Sequence, residues 1–579
     1  MSFMKKAWRV RKFVALAALS AVGCKTRSDL SDATVKADDG SAAATASASL
    51  TFRNTLFGYL ASAYPNDYDA MKDFVAYMPT DGLLQAAASP ASNAEDLLGA
   101  MDKAMNDERP AALYQLGKQT PSSPTATAEL NAALAAQPVT LVIIPGVFGE
   151  FIEARAFEEI FAAGDTSVFG QEWRKKLADY RAKGAAGGND VDAHYSLQDL
   201  GPVDAGLDEL LSVGSIDSGG QALVRVVLFN TPQLSLESLG DSALLAPIFS
   251  RRLSKFFAIT GTPNNVVLVG YSRGAMIGLD MLASGADTGW QGNVRGMVAL
   301  GGVVFGSALA DAVDDPASKT AKESAALVQL RDGLQEKNSA FFGNTKKWAV
   351  FLATMAKLEG SGSWADSIGS AVGQIRGTDV AASSKMIGKY WSEFGLNKPG
   401  TEYVANIQRF KKLATEVETA VTGLKTSSRL AWWRSHKIPV NTVRYYNIAG
   451  TMDDEKSSAL GDTLIHNPYT YDPEAADQKS LVSSYNDFIQ ASGSYLNDSQ
   501  VAPLRTTFAP QLIFALSGQK VEHSSFLGIV GVHHWGLALP VVNKMKDGKT
   551  NPFPRPVLLQ AIAATVARDL ATGSSPSAP

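Results

Sequence analysis

Residues 266–276 read VVLVGYSRGAM, an apolar run that ends in Ser272, which is set between Gly270 and Gly274. Composition alone would place a G-x-S-x-G pattern about 0.4 times in a chain of this length, so the bare pattern decides nothing. Its flanks decide. VVLVGY is apolar and rich in β-branched residues, as a strand buried on both faces requires, and the following RGAMIGLDMLAS reads as helix. A serine at such a strand-to-helix turn carries its hydroxyl beyond the sheet, over the helix N-terminus. Glycines flank it because side chains there would collide across the turn. The stretch predicts a nucleophile elbow with Ser272 as nucleophile and Gly270 and Gly274 as its elbow glycines.

Four more runs share the texture of 266–271: VTLVIIP (139–145), LVRVVLFN (223–230), VRGMVALGG (294–302) and NTVRYYNIAG (441–450). Unalternating runs of this kind, separated by helix-like stretches, predict an α/β fold with a doubly wound, mostly parallel sheet. Its core should occupy 139–310 and 439–570. The interval 311–438 is too long for a crossover and reads as helix, with Trp348, Phe351, Trp391, Phe394, Trp432 and Trp433 along it. It is expected to be a large helical insertion, either a small subdomain or a cap over an apolar pocket. Residues 50–138 form a helical N-terminal segment, with Leu56, Leu60, Met71 and Phe74 at helical spacing.

The first 23 residues differ from everything that follows. Lys5, Lys6, Arg9, Arg11 and Lys12 precede a short apolar run that ends at Gly23 and Cys24, the chain's one cysteine. This is an export signal. AVGC resembles the cleavage site of bacterial lipoproteins, which implies lipidation of Cys24 and attachment to a membrane surface without spanning it. Lys25 in place of aspartate favours the outer membrane over the inner. Residues 24–49 are small and polar, as in a flexible tether, and 571–579 read as a disordered tail. A lone cysteine excludes an intramolecular disulfide. With 45% hydrophobic and 19% charged residues and a net charge of −4, the chain offers no basic field for nucleic acid.

A serine hydroxyl needs a histidine to take its proton, and that histidine needs a carboxylate to fix its tautomer. His194, His436 and His466 fall early or in polar loop and insertion sequence. FLGIVGVHHWGLALP instead places His533 and His534 after a late apolar run and before a C-terminal helix, with His534 the preferred base and His533 the alternative. For the acid, Asp453 and Asp454 directly follow VRYYNIAGT, and Asp498 lies in the later loop SYLNDSQVAPL. Spacing does not choose between them. The developing oxyanion needs backbone donors, one from the residue after the nucleophile, Arg273, and one from the glycine-rich loop PGVFG at 145–149.

Taken in order, IIPGVFGEF, VGYSRGA, VRGMVALGGVVFGSALAD, VRYYNIAGT, LNDSQV and HHWG resemble the motifs of bacterial lipases and esterases of the α/β-hydrolase superfamily. The resemblance covers the core in pieces, about half of the chain. It implies a catalytic set of Ser272, Asp498 and His534, with Val147 and Arg273 giving the oxyanion N–H groups. It further implies an enzyme acting on a lipid or other carboxylic ester, with no cofactor. Tyr271 and Pro145 stand where those lipases carry histidine, and Ser499 replaces the glycine after their acid. Calcium, which that group holds near the acid and histidine, is not carried over, because HHWGLALP has no carboxylate beside it. The same constellation could serve an amidase or acyltransferase, or survive in a ligand-binding lipoprotein without catalysis.

Overall fold

The computed structural model describes residues 52–63, 65, 94–107, 126–146, 160, 167–182, 211–218, 221–229, 241–284, 289–312, 421–452, 479–494, 496–538, 542–544, 550–552 and 555–572. All of them lie in the second of two units, Met1–Ala44 and Thr45–Pro579. The expected export signal, Cys24, the whole of the expected tether, most of the expected insertion and all but the first two residues of the expected C-terminal tail fall outside the described residues.

Seven strands make the main sheet: β1 (Val139–Ile144), β2 (Leu211–Ser218), β3 (Gln221–Phe229), β4 (Val266–Tyr271), β5 (Val294–Leu300), β6 (Arg444–Gly450) and β7 (Ser524–Val530). Their order is β2-β3-β1-β4-β5-β6-β7, and every neighbouring pair is parallel except β2 with β3. The fold is a doubly wound, mostly parallel α/β sheet of the α/β-hydrolase type.

The sheet separates two cores, and alternate residues of each strand feed one or the other. Leu141, Ile143, Val267, Val269, Val298 and Leu300 pack on one face, together with the helices at 52–63, Thr127–Ala136 and Arg555–Ala571. Val142, Ile144, Val266, Leu268, Met297 and Ala299 pack on the other, against the helices Ser242–Thr260 and Gly274–Ala283. This is why β1 and β4 show no alternation in sequence: all six residues of each are buried. Each fully buried aliphatic side chain contributes about 1.5–3 kcal/mol, so the strands that carry the site also rank among the best anchored.

Two further described helices join this core, one from the first part of the chain and one from the end of the expected insertion. In Ala94–Asp107, Leu97, Leu98 and Met101 are buried, and Asp102 meets Arg505 at 2.6 Å. At the end of the expected insertion, the helix Thr426–Ser435 buries Leu430 and Trp433 in the sheet's own core. Its first N–H is capped from a distance by Asp311 Oδ1, at 2.8 Å. Asp311, at the end of the helix Ala308–Asp311, and Thr426 therefore lie side by side although 115 residues apart in the chain.

Chain connections run outward in opposite directions from β1 and β4, which are adjacent in the sheet. In sheets of this kind a crevice opens beyond the carboxyl ends of two such strands, and ligands bind there. Ser272 follows β4, and Pro145 and Gly146 follow β1.

Candidate active site

Ser272 is the hinge between β4 and the helix Gly274–Ala283, and its φ of 54° puts it in the left-handed region that side chains disfavour. The turn is held by its own backbone. Ser272 N–H donates to Leu300 O at 3.1 Å, and Ser272 O accepts from Val303 N–H at 3.0 Å and Ala275 N–H at 3.2 Å. A Cβ on Gly270 would run into the backbone of Ala275, and one on Gly274 would run into the carbonyls of Ile144 and Pro145. Gly146 is close-packed too, since a Cβ there would come within 2.8 Å of Ser272 Cβ. The sequence marked 145–149 as a loop without isolating Gly146 as the residue pressed against the serine.

His534 opens a short 3-10 turn, His534–Leu537, four residues after β7. Its Nε2 lies 2.8 Å from Ser272 Oγ, and its Nδ1 lies 2.7 Å from Asp498 Oδ2. With a carboxylate as partner, Nδ1 carries the proton, which leaves Nε2 to accept the hydrogen of the serine hydroxyl. All three side chains are buried, Ser272 at 7% exposure and Asp498 and His534 at 1%.

Asp498 is fixed by the turn that bears it. Its Oδ1 accepts from Val501 N–H at 2.7 Å and Gln500 N–H at 2.9 Å, which leaves Oδ2 for the histidine. The backbone repeats the link, because Asp498 O accepts from His534 N–H at 2.7 Å. Ser499, next in the chain, takes φ 83°, a conformation that glycine adopts without strain. Gly301 and Gly450 leave room for the acid: a Cβ on Gly301 would lie 3.3 Å from Asp498 Oδ2, and one on Gly450 would lie 3.1 Å from Asp498 Cβ. Neither was singled out in sequence, where each reads only as the glycine that ends a strand.

Of the other expected residues, Arg273 is the N-cap of the helix after the elbow and is buried. His533 is buried as well, but its Nδ1 is turned to Gly536 N–H at 3.1 Å and not to the serine. Val147, Asp453 and Asp454 fall outside the described residues. Tyr271, noted in sequence as a departure from the lipase pattern, lies against His534 with its ring stacked and its hydroxyl bonded to the His534 carbonyl. Among the described residues no group of side chains is arranged to hold a metal ion.

No protein-family model matches the sequence, and no curated protein matches it. Among solved structures the chain is similar to a metagenomic carboxyl esterase, at 16% identity over 78% of this chain and 82% of that one, with a TM-score of 0.33. It is also similar to a Bacillus licheniformis lipase in mature form, at 12% identity over 54% of this chain and 73% of that one, with a TM-score of 0.26. Both likenesses are low, and the fold stands on the strand order and on the turn after β4.

Proposed function

We propose that the protein is a serine hydrolase that cleaves carboxylic esters through an acyl-enzyme. What carries the reading is the pair of hydrogen bonds that joins Asp498 Oδ2, His534 and Ser272 Oγ at 2.7 and 2.8 Å. As Oγ attacks the ester carbonyl, its proton passes to His534 Nε2, and the resulting imidazolium faces the Asp498 carboxylate. The tetrahedral oxyanion is received by the backbone N–H groups of Arg273 and Val147. Collapse breaks the bond to the alcohol, which leaves with the proton from Nε2. Water then attacks the acyl group, giving its proton to His534, and the carboxylic acid departs as Oγ regains the hydrogen.

The order of motifs shared with bacterial lipases points to acyl lipids as the substrate class. The basic and apolar N-terminus with Cys24 points to an exported protein held at a bacterial membrane, the outer one, by a lipid on that cysteine. Radiolabelled fatty acid fed to expressing cells should appear on the chain, and Cys24→Ala should abolish it. For the activity, p-nitrophenyl esters of graded acyl length are the direct assay. The wild-type protein should turn them over, and Ser272→Ala should reduce the rate to background. Turnover that survives in Ser272→Ala would refute the reading.

A further inference from the structure

Tyr271 is the last residue of β4 and immediately precedes Ser272, yet its side chain engages the histidine and not the serine. The phenol donates to the backbone carbonyl of His534 at 3.0 Å across 263 residues of sequence. Its ring stacks on the imidazole with centroids 5.2 Å apart and planes 30° from parallel. The side chain is buried, and burial, with the Asp498 carboxylate nearby, pushes the hydroxyl well above its ordinary pKa, so it remains a donor at any working pH. Trp535 meets the imidazole edge-on, with centroids 6.0 Å apart.

These contacts matter because the hold on His534 changes during the proposed cycle. In the free enzyme the imidazole is fixed at both nitrogens, by Asp498 and by Ser272 Oγ. Once Oγ is acylated it has no hydrogen to donate, and one of those two anchors is gone. The ring must then aim Nε2 at a water molecule with only Asp498 and the surrounding packing to hold it. The turn His534–Leu537 is four residues long and too short to stiffen itself.

We propose that Tyr271 is a positioning residue for His534, whose hydroxyl straps the histidine's backbone carbonyl while its ring supports the imidazole, and that it matters most for deacylation. The inference rests on the acyl-enzyme reading above and deepens it. A tyrosine in the elbow thereby joins nucleophile and base in one unit: the strand that presents Ser272 also holds the group that activates it.

Pre-steady-state hydrolysis of p-nitrophenyl esters tests this, because their good leaving group makes acylation fast. Tyr271→Phe keeps the ring and loses the strap. It should lower kcat about tenfold, the worth of one well-placed hydrogen bond, while kcat/KM stays within about threefold. A burst of p-nitrophenol should appear, or grow, as the acyl-enzyme accumulates. Tyr271→His also places a ring there but lacks the reach to the carbonyl, and it should behave like Tyr271→Phe. Titration with a fluorophosphonate counts competent sites in each preparation, so that lost folding does not pass for lost rate. A wild-type kcat in Tyr271→Phe would overturn the proposal, as would an equal fall in kcat and kcat/KM. It falls as well if neither variant gives titratable sites, since the residue would then serve packing. Wild-type protein with no ester turnover at all would instead refute the underlying hydrolase reading, and this inference with it.

Discussion

The nucleophile elbow and the acid turn each hold a serine with positive φ, Ser272 at 54° and Ser499 at 83°, and among the described residues no other residue except glycine does so. At the elbow the neighbours have given way. Gly270, Gly274 and Gly146 all lack the Cβ that would strike the backbone of Ala275, the carbonyls of Ile144 and Pro145, or Ser272 itself. The acid turn has no glycine of its own, and Gly301 and Gly450 only leave room for the Asp498 side chain from the ends of neighbouring strands. Ser499 is held by Asn497 Oδ1, which accepts its N–H at 2.8 Å, and by the paired N–H bonds that Asp498 Oδ1 accepts from Gln500 and Val501. The elbow obtains its geometry by omitting atoms that the residues packed against it would otherwise bring. The acid turn obtains its geometry from hydrogen bonds, and tolerates a buried Ser499 hydroxyl that has no partner among the described residues.

If that contrast holds, adding a methyl group at the elbow and removing a side chain at the acid turn should have opposite effects. Gly274→Ala should be the most damaging change, because the new Cβ meets backbone carbonyls of β1 and the following loop that cannot rotate away. It should cost upwards of about 3 kcal/mol of stability and abolish turnover, read by thermal unfolding and ester hydrolysis together.

Asp498→Asn should leave the fold intact and lower kcat by about three to four orders of magnitude, since the amide would either donate N–H to Nδ1, which puts the imidazole proton on Nε2, or offer a neutral oxygen that does not stabilise the imidazolium. Retention of most activity by this variant, with its loss on changing Asp453 and Asp454, would move the acid to the other loop.

Gly301→Ala probes the space shared by acid and base. Its Cβ would fall 2.7 Å from Leu537 Cδ1 and 3.3 Å from Asp498 Oδ2, at a φ of 52°. A fall in kcat of about ten- to a hundredfold is expected, as alignment and not chemistry is lost.

Ser499→Gly should have the smallest effect and the opposite sign. It relieves the left-handed strain and removes a buried hydroxyl that has no partner among the described residues, and these outweigh the extra chain entropy of glycine. Stability should rise by roughly 1 kcal/mol, measured by thermal or denaturant unfolding, with activity within about twofold. A loss of stability would show that Ser499 is held by more than the turn around it.

The same contrast explains what could be read from the sequence. Five of the seven strands stand out as apolar runs, because β1, β3, β4, β5 and β6 lie inside the sheet with both faces covered. β2 does not stand out. LSVGSIDS pairs antiparallel at an edge, and its glycine and serines dilute the pattern that burial on both faces enforces elsewhere. β7 reads as an apolar run before the histidines, with Gly528 interrupting it and its first two residues half-buried. The elbow is legible because its requirements are local and are met within five residues. The acid is not legible from spacing, and Asp498 is indicated only by the resemblance of LNDSQV, because nothing within that stretch states that His534 will arrive beside it; that contact is made by the fold. Tyr271 is visible in sequence only as a departure, since its purpose depends on a carbonyl 263 residues away. Thr426–Ser435 reads as part of the insertion, yet Trp433 and Leu430 belong to the core, because helical period alone does not say which body a helix packs against.

The central claim is that His534 activates Ser272 for covalent catalysis, and phosphonylation with a fluorophosphonate followed by peptide mapping tests it most directly. The wild-type chain should take up one adduct, on Ser272, at a rate lowered by several orders of magnitude in His534→Ala and to zero in Ser272→Ala. An adduct that persists in Ser272→Ala, or ester hydrolysis by a wild-type chain that takes up none, would contradict it.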